Sequence, residues 1–262
     1  MATDWLELCR AATEDVRGAL VGLPGRAERE PVVGTGMGGD DTTAVDEAAE
    51  RVVLERFRGL DATIVSEEAG ELGDGRLRIV IDPIDGSLNA KRGIPHFSLS
   101  IAVADGPAMG DVFFGYVYDF GWGEEWTATR GGGARLNGEP LGPQRPKDEL
   151  EVLSFEATLT SSVAEQAASM VGLAHRLRIF GSLALSLCQL AAGRLDGVVS
   201  LKPIRSVDVA AAQLLVREQG LAVELVDEPP FLEHPLDVVS RSRIAAAGTP
   251  ELCGKLAAAL SA

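Results

Sequence analysis

The chain has little cysteine and no long apolar run, and each scarcity excludes a class of protein. The three cysteines are far apart and set among apolar residues, which argues against a disulfide framework or a zinc site; they are Cys9, Cys188 and Cys253. No apolar run reaches the roughly 18 residues of a membrane-spanning helix, and the first residues lack a basic stretch followed by an apolar one. We therefore expect a reduced, cytoplasmic protein that is neither secreted nor embedded in a membrane.

Positive charge is also scarce. The 262 residues include 24 Lys and Arg against 39 Asp and Glu, a formal net charge of -15. A chain of this charge is unsuited to nucleic acid or to an anionic membrane surface, so we expect neither among its partners. With 46% hydrophobic and 24% charged residues, it can bury a sizeable core in one or two domains, as a soluble enzyme does.

Two of the acids follow an apolar run that predicts a buried strand, residues 79–81. Asp82 and Asp85 come directly after it, with Pro83 removing a backbone donor and Gly86 allowing a sharp turn. These residues are also common in ordinary turns, so the segment alone leaves both interpretations open. Two carboxylates at one strand tip repel each other unless cations lie between them, and Mg²⁺ is typically held by a few carboxylates plus a substrate phosphate.

Three further acidic segments favour a metal site at Asp82 and Asp85 over an ordinary turn. A short apolar strand ends in the pair Glu67 and Glu68, and Asp208 stands at the start of an Ala-rich segment that predicts a helix. The remaining segment places polar residues at intervals of three, namely Asp40, Thr43 and Asp46.

The four segments, in this order, resemble the inositol monophosphatase family within the fructose-1,6-bisphosphatase-like superfamily. The glycine hairpin at 132–138 and the pair Gly181-Ser182 before a helix also match, so the resemblance covers nearly the whole chain. It implies an α/β (layered α+β) fold, a five-layer α/β/α/β/α sandwich over residues 1–262. Two subdomains are expected, about 1–140 with the metal and phosphate motifs and 141–262 with Asp208. The active site would lie where they meet, and the protein would be a homodimer.

The resemblance also implies a role for each motif residue in a Mg²⁺-dependent phosphatase. Two or three Mg²⁺ ions would be held by Glu67, Asp82, the Ile84 carbonyl, Asp85 and Asp208. A metal-activated water would be oriented and deprotonated by Asp40, Thr43 and Ser87. The substrate and its phosphate would be bound by Asp85, Gly86, Ser87, Gly181 and Ser182. Hydroxide would attack phosphorus in line while a metal ion stabilises the leaving alkoxide.

The substrate is left open by three departures from the inositol-specific pattern. Ser87 replaces the commoner Thr, and Val207 replaces a Trp before the late acid. Where inositol enzymes usually present a Glu, this chain has Lys202, with Arg205 nearby. These two cations are either ligands for a second phosphate or solvated surface charges. The substrates expected are inositol 1-phosphate and/or fructose 1,6-bisphosphate, with adenosine 3′,5′-bisphosphate or NADP as alternatives.

Periodicity predicts an antiparallel-rich first half and a second half of alternating strands and helices. The expected helices are 3–23, about 43–58, 160–174, 182–193 and 208–219. The expected strands are 63–66, 77–82, 97–104, 111–118, 124–129, 150–155, 177–180 and 196–200. Two more elements are expected near 221–227 and 243–262. The glycine-rich segment 34–39 is expected to be mobile and to close on metal.

Three other interpretations account for less of the chain. Residues 34–39 match G-x-G-x-x-G, the pattern of dinucleotide-binding oxidoreductases, but the acids Asp40 and Asp41 would repel a pyrophosphate. Cys188 and Arg194 have the spacing of a thiolate phosphatase without its glycine-rich cradle. A metal-binding relative without activity is disfavoured because Asp40, Thr43 and Ser87 are retained. The three histidines are isolated from one another and are expected to be structural.

Overall fold

The computed structural model describes residues 3–37, 39, 41–145, 147–157, 159–227 and 230–261. Asp40, a predicted catalytic residue, lies outside the described residues. The helices are α1 Trp5–Val21, α2 Arg26–Arg29, α3 Ala44–Phe57, α4 Ser87–Arg92, α5 Thr160–Ala167, α6 Leu183–Ala191, α7 Ser206–Glu218 and α8 Pro250–Leu260. In the part of the chain described, no helix is long and apolar enough to cross a membrane.

The strands form three sheets. A two-stranded sheet pairs β1 Val32–Thr35 with β2 Asp41–Thr43. The eight-stranded sheet has the order β10-β9-β8-β7-β6-β5-β3-β4 and the five-stranded sheet the order β12-β11-β13-β15-β14. Their bounds are β3 Ala62–Ser66, β4 Gly70–Leu72, β5 Leu77–Asp85, β6 Ser98–Ala104, β7 Val112–Asp119, β8 Glu125–Thr129, β9 Gly133–Leu136, β10 Glu139–Pro140, β11 Leu150–Glu156, β12 Ala174–Arg178, β13 Gly197–Ser200, β14 Ala222–Leu225 and β15 Ile244–Ala247.

The sheets and helices stack in five layers. Helices α1 and α3 cover one face of the eight-stranded sheet, with Val16, Phe57 and Ile79 in the shared core. Helices α6 and α7 lie between the two large sheets and pack their apolar side chains against both. Helices α5 and α8 cover the outer face of the five-stranded sheet, around Leu153 and Leu256. The expected α/β/α/β/α sandwich is confirmed.

Strand directions agree with the antiparallel-rich first half and the alternating strands and helices of the second half that the sequence predicts. The eight-stranded sheet is antiparallel except where β3 runs parallel to β5. In the five-stranded sheet, β11 runs parallel to both β12 and β13, as expected of strands joined through helices. The β5–β6 ladder shifts register between Asp82 and Asp85, where Pro83 has no N–H to give to the ladder. Pro83 and Ile84 are left out of the ladder as a result, between Asp82, which pairs with Ser100, and Asp85, which pairs with Ser98.

Some predicted bounds were wrong. The helix predicted at 160–174 ends at Ala167 and continues only as a 3₁₀ turn to Met170, because Gly172 adopts a left-handed φ of 86° that a helix does not accommodate. The strand predicted at 177–180 lies at Ala174–Arg178. In the glycine-rich segment, Gly34 and Thr35 belong to β1 and pair with β2, and closure of this segment on metal stays a prediction.

Candidate active site

The end of β5 buries two carboxylates at the boundary between the large sheets. Asp82 is 2% exposed and Asp85 8% exposed. The N–H of Ile84 donates to Asp82 Oδ1 over 3.0 Å, which fixes the first carboxylate against the backbone turn. The Ser87 hydroxyl donates to the Ile84 carbonyl at 3.0 Å. Strand, turn and hydroxyl therefore form one rigid local unit.

Gly86 joins this strand to α4 in a conformation that favours glycine. Its φ is 96°, and a Cβ there would lie 2.9 Å from the Gly181 carbonyl oxygen and 3.2 Å from that of His96. The first turn of α4 closes on Gly86 O, which accepts from the N–H of Asn89 at 2.8 Å. The side chain of Asn89 donates to the carbonyls of His96 and Phe180, at 2.8 and 2.7 Å. The turn is thus held against the chain that enters α6.

The start of α6 meets Asp85 from the other half of the chain. Ser182 caps this helix, and its hydroxyl donates to Asp85 Oδ2. The N–H of Ala184 donates to the same oxygen at 2.9 Å. Two donors and a helix N-terminus therefore face one carboxylate, an arrangement that stabilises its charged form.

Glu156 lies behind this contact and is itself 1% exposed. Its Oε2 accepts the N–H of Gly181 at 2.9 Å, and its Oε1 accepts the hydroxyls of Ser154 and Ser186 at 2.7 and 2.6 Å. Burial raises the pKa of Glu156 despite these hydrogen bonds. The network therefore fixes the segment that brings the Ser182 hydroxyl into contact with Asp85.

The start of α7 brings a third acid and a cation. Asp208 is the third residue of α7, and its Oδ2 accepts the backbone N–H of Arg205 at 2.7 Å. The Arg205 guanidinium donates to Glu67 Oε1, and its Nε lies 4.0 Å from Asp208 Oδ2. Arg205 is only 7% exposed, so its charge is compensated by acids rather than by water.

These acids raise one another's pKa. Burial raises the pKa of Asp82 well above its usual range, and the charges of Glu67, Asp85 and Asp208 add to the shift. Burial also raises the pKa of Glu67 to about 8, with Arg205 opposing the shift and Asp208 adding to it. The pKa of Asp85 rises to about 7, again chiefly through burial, although the Ser182 hydrogen bond opposes it. Without a bound cation, burial and mutual repulsion therefore disfavour the ionised forms of these carboxylates.

The motif around Thr43 borders this cluster. Thr43 caps α3, and both its N–H and its hydroxyl donate to Asp46 Oδ2. Asp46 is 6% exposed, and its charge contributes to the raised pKa of Glu67 and of Glu68. Among the described residues, Asp46 Oδ1 has no hydrogen-bond partner. A buried acceptor of this kind marks a place for a donor or a cation.

Comparison with known proteins identifies the family. A family model described as the inositol monophosphatase family matches residues 6–262. The chain belongs to the inositol monophosphatase family. The fructose-1,6-bisphosphatase/inositol-1-monophosphatase of Archaeoglobus fulgidus is 34% identical over 93% of both chains, and that of Methanocaldococcus jannaschii 31% over 95% of this chain and 96% of the relative. A crystal structure of an inositol monophosphatase-fructose 1,6 bisphosphatase superposes with a TM-score of 0.86 at 28% identity, covering 98% of this chain and 100% of that one.

As a member of the inositol monophosphatase family, the protein is a phosphatase. The family is generally Mg²⁺-dependent. Within the described ranges, no three His, Cys, Asp or Glu side chains converge closely enough to hold an ion as they stand. The donor chemistry nevertheless fits a hard divalent cation, because the carboxylates and the unpartnered Asp46 Oδ1 present oxygen ligands, and a cation would offset the mutual repulsion that raises the pKa of Asp82.

The structure brings most of the predicted site residues to one place. The residues near one another at the ends of β3 and β5 and the starts of α4, α6 and α7 are Glu67, Asp82, Ile84, Asp85, Gly86, Ser87, Gly181, Ser182, Arg205 and Asp208. The interpretation of Arg205 as a solvated surface charge was wrong, since its guanidinium is buried against Glu67. Lys202 is exposed.

Sequence reasoning gave no site role to Asp46 or Glu156. The signal for Asp46 was present, because the third residue after a helix-capping Thr is where a carboxylate turns back on the cap. The signal for Glu156 was absent, because its partners come from three separate segments.

Proposed function

We propose that the protein is a Mg²⁺-dependent phosphomonoesterase for a small sugar or polyol phosphate, namely inositol 1-phosphate and/or fructose 1,6-bisphosphate. The observation that carries the proposal is the carboxylate cluster at the end of β5, whose acids lie against the starts of α6 and α7 and repel one another. A buried cluster of this kind is costly to the fold unless cations compensate it.

The residues that would hold two or three Mg²⁺ ions are Glu67, Asp82, the Ile84 carbonyl, Asp85 and Asp208. When bound, Mg²⁺ supplies a Lewis acid and an acidic water near neutral pH. Besides burial, the charges of Glu67 and Asp85 raise the pKa of Asp82, so a cation held by Asp82 would relieve its repulsion from both.

The remaining groups would bind and orient the substrate. The amides of Gly86 and Ser87, which precede the first hydrogen-bonded amide of α4, would donate to a phosphate oxygen. The Ser87 hydroxyl, now donating to the Ile84 carbonyl, is a candidate to orient the attacking water together with Thr43 and Asp40. Asp46 Oδ1, a buried acceptor without a hydrogen-bond partner among the described residues, is a further candidate to accept a hydrogen bond from the attacking water. Gly181 and Ser182 would border the leaving alcohol.

The substrate proposal is tested by phosphate release. The purified protein is assayed with Mg²⁺ against inositol 1-phosphate, fructose 1,6-bisphosphate, adenosine 3′,5′-bisphosphate and NADP. Release from either of the first two well above the nucleotides supports the proposal. Preference for adenosine 3′,5′-bisphosphate or NADP would replace the sugar or polyol substrate while retaining the phosphatase chemistry.

We also propose that the protein is a cytoplasmic homodimer.

A further inference from the structure

Arg205 is a cation buried inside the carboxylate cluster. Its guanidinium donates to Glu67 Oε1, and its Nε lies 4.0 Å from Asp208 Oδ2. Burying a guanidinium is costly unless acids compensate it, and only 9% of this side chain is exposed. The position of the charge is therefore set by the acids around it.

The backbone on both sides of Arg205 is held in place. Ile204 exchanges two backbone hydrogen bonds with Ser242, at 2.9 and 3.2 Å. The Ser206 hydroxyl donates to the carbonyl of Asp237 at 2.5 Å, and the N–H of Arg205 itself donates to Asp208 Oδ2 at 2.7 Å. Because this backbone is fixed, a departure of the guanidinium from Glu67 would require rotation of the Arg205 side chain rather than movement of the chain that carries it.

Glu67 is also a ligand in the proposed Mg²⁺ site, and the same carboxylate cannot serve both cations equally. A divalent ion at Glu67 would lie beside the positive guanidinium, and like charges at such distances repel strongly where water is excluded. We propose that Arg205 and Mg²⁺ compete for Glu67, so that Arg205 must release this carboxylate when the ion binds. This inference rests on the proposed Mg²⁺ site.

Two effects follow from the competition. Without Mg²⁺, Arg205 compensates part of the negative charge at Glu67 and Asp208 and so stabilises the fold. With Mg²⁺, the same charge opposes binding, so Arg205 raises the Mg²⁺ concentration needed to fill the site. A residue that only supported the fold would stabilise the protein without Mg²⁺ but would not weaken Mg²⁺ binding.

The test compares Mg²⁺ binding by isothermal titration calorimetry in the wild type, R205M, R205K and K202M. R205M keeps the length and loses the charge, and we expect its Kd for Mg²⁺ to fall by about five- to a hundredfold, the usual range of coupling between two binding events. R205K keeps a charge at the site and should bind more like the wild type than like R205M. K202M removes an exposed charge three residues away and should leave the affinity unchanged.

Thermal unfolding provides the second readout. We expect R205M to unfold at a lower temperature than the wild type in EDTA, and saturating Mg²⁺ to close the gap. An equal gap in both buffers would mean that Arg205 acts only on the fold, and the competition would be abandoned. Equal or weaker Mg²⁺ binding by R205M, or equally tightened binding by R205K, would overturn it too, whereas a wild type that binds no Mg²⁺ would refute the proposed metal site itself.

Discussion

At the scale of single residues, the site depends on a position where any residue larger than glycine would clash with the backbone. Gly86 has a left-handed backbone and lies against two carbonyl oxygens, whereas Gly93, at the other end of α4, has a similar φ with open space around it. Comparing alanine substitutions at the two glycines therefore separates the energetic cost of a left-handed backbone from the cost of a steric clash.

We predict that Gly86→Ala destabilises the protein more than Gly93→Ala. Both variants place an alanine at positive φ, at a cost of about 1–3 kcal/mol. Only Gly86→Ala also brings a Cβ to 2.9 Å from the Gly181 carbonyl oxygen, which must move the start of α6 away from Asp85. Urea unfolding should show the larger loss in Gly86→Ala, together with a lower rate of phosphate release. Equal losses of stability would show that the approach of the two segments is not tight.

Local signals made one part of the site predictable. The apolar run before Asp82, the proline after it and the glycine before α4 each act on neighbouring residues, so the strand, turn and helix could be predicted from sequence. The partner of Arg205 could not, because Glu67 is 138 positions away and spacing does not fix where a long side chain points. Whether a cation near the site faces water or an acid depends on packing between distant segments.

At the scale of elements, α6 is held to the site through its first residues. Ser182 and Ala184 reach Asp85, while Gly181 is fixed from behind by Glu156. Glu156 ends β11 in the five-stranded sheet, so this buried acid connects that sheet to the carboxylates of the eight-stranded one. The sequence pattern predicted α6, but its anchoring depends on this tertiary contact.

We predict that Glu156→Gln destabilises the protein by about 1–3 kcal/mol, the cost of leaving a buried hydrogen-bond donor without its acceptor. Glutamine keeps one acceptor oxygen, whereas the carboxylate uses both of its oxygens. The substitution should also raise KM more than Glu165→Gln, a matched change at an exposed position on α5. Unfolding curves and substrate titrations measure the two effects. If Glu156→Gln matched Glu165→Gln in both, the network would have no part in positioning α6.

At the scale of the whole molecule, the site belongs to neither large sheet alone. The eight-stranded sheet ends at Pro140 and the five-stranded sheet begins at Leu150, and we propose that the subdomain boundary lies between them. Asp82 and Asp85 come from the first part, and Ser182 and Asp208 from the second. The layered order was predictable from alternating patterns and the family resemblance, whereas the fit between the halves required the structure.

We expect the protein to be a homodimer that buries the exposed apolar surface beside α6. Trp122, which is 78% exposed, and Phe180 line a groove of about 370 Å³, and Ile179, which is 52% exposed, precedes Phe180 in the chain. Light scattering should give twice the mass of one chain. The Ile179→Asp variant should be more monomeric than the wild type, whereas Val239→Asp, a change at another exposed apolar position, should leave the dimer intact. A wild-type monomer at micromolar concentration would contradict the expectation.

The central claim is that phosphate release depends on Mg²⁺ held by the carboxylate cluster, and one assay tests it most directly. Release is measured for the wild type, Asp82→Asn and Asp74→Asn, in EDTA and after Mg²⁺ is restored. Asp74 is exposed to solvent and is not one of the residues proposed to hold the ion, so its variant controls for the substitution itself. We predict no release in EDTA, recovery with Mg²⁺ in the wild type and Asp74→Asn, and none in Asp82→Asn, whose fold should persist because a buried repulsion is relieved. Release by Asp82→Asn in the presence of EDTA would contradict the account.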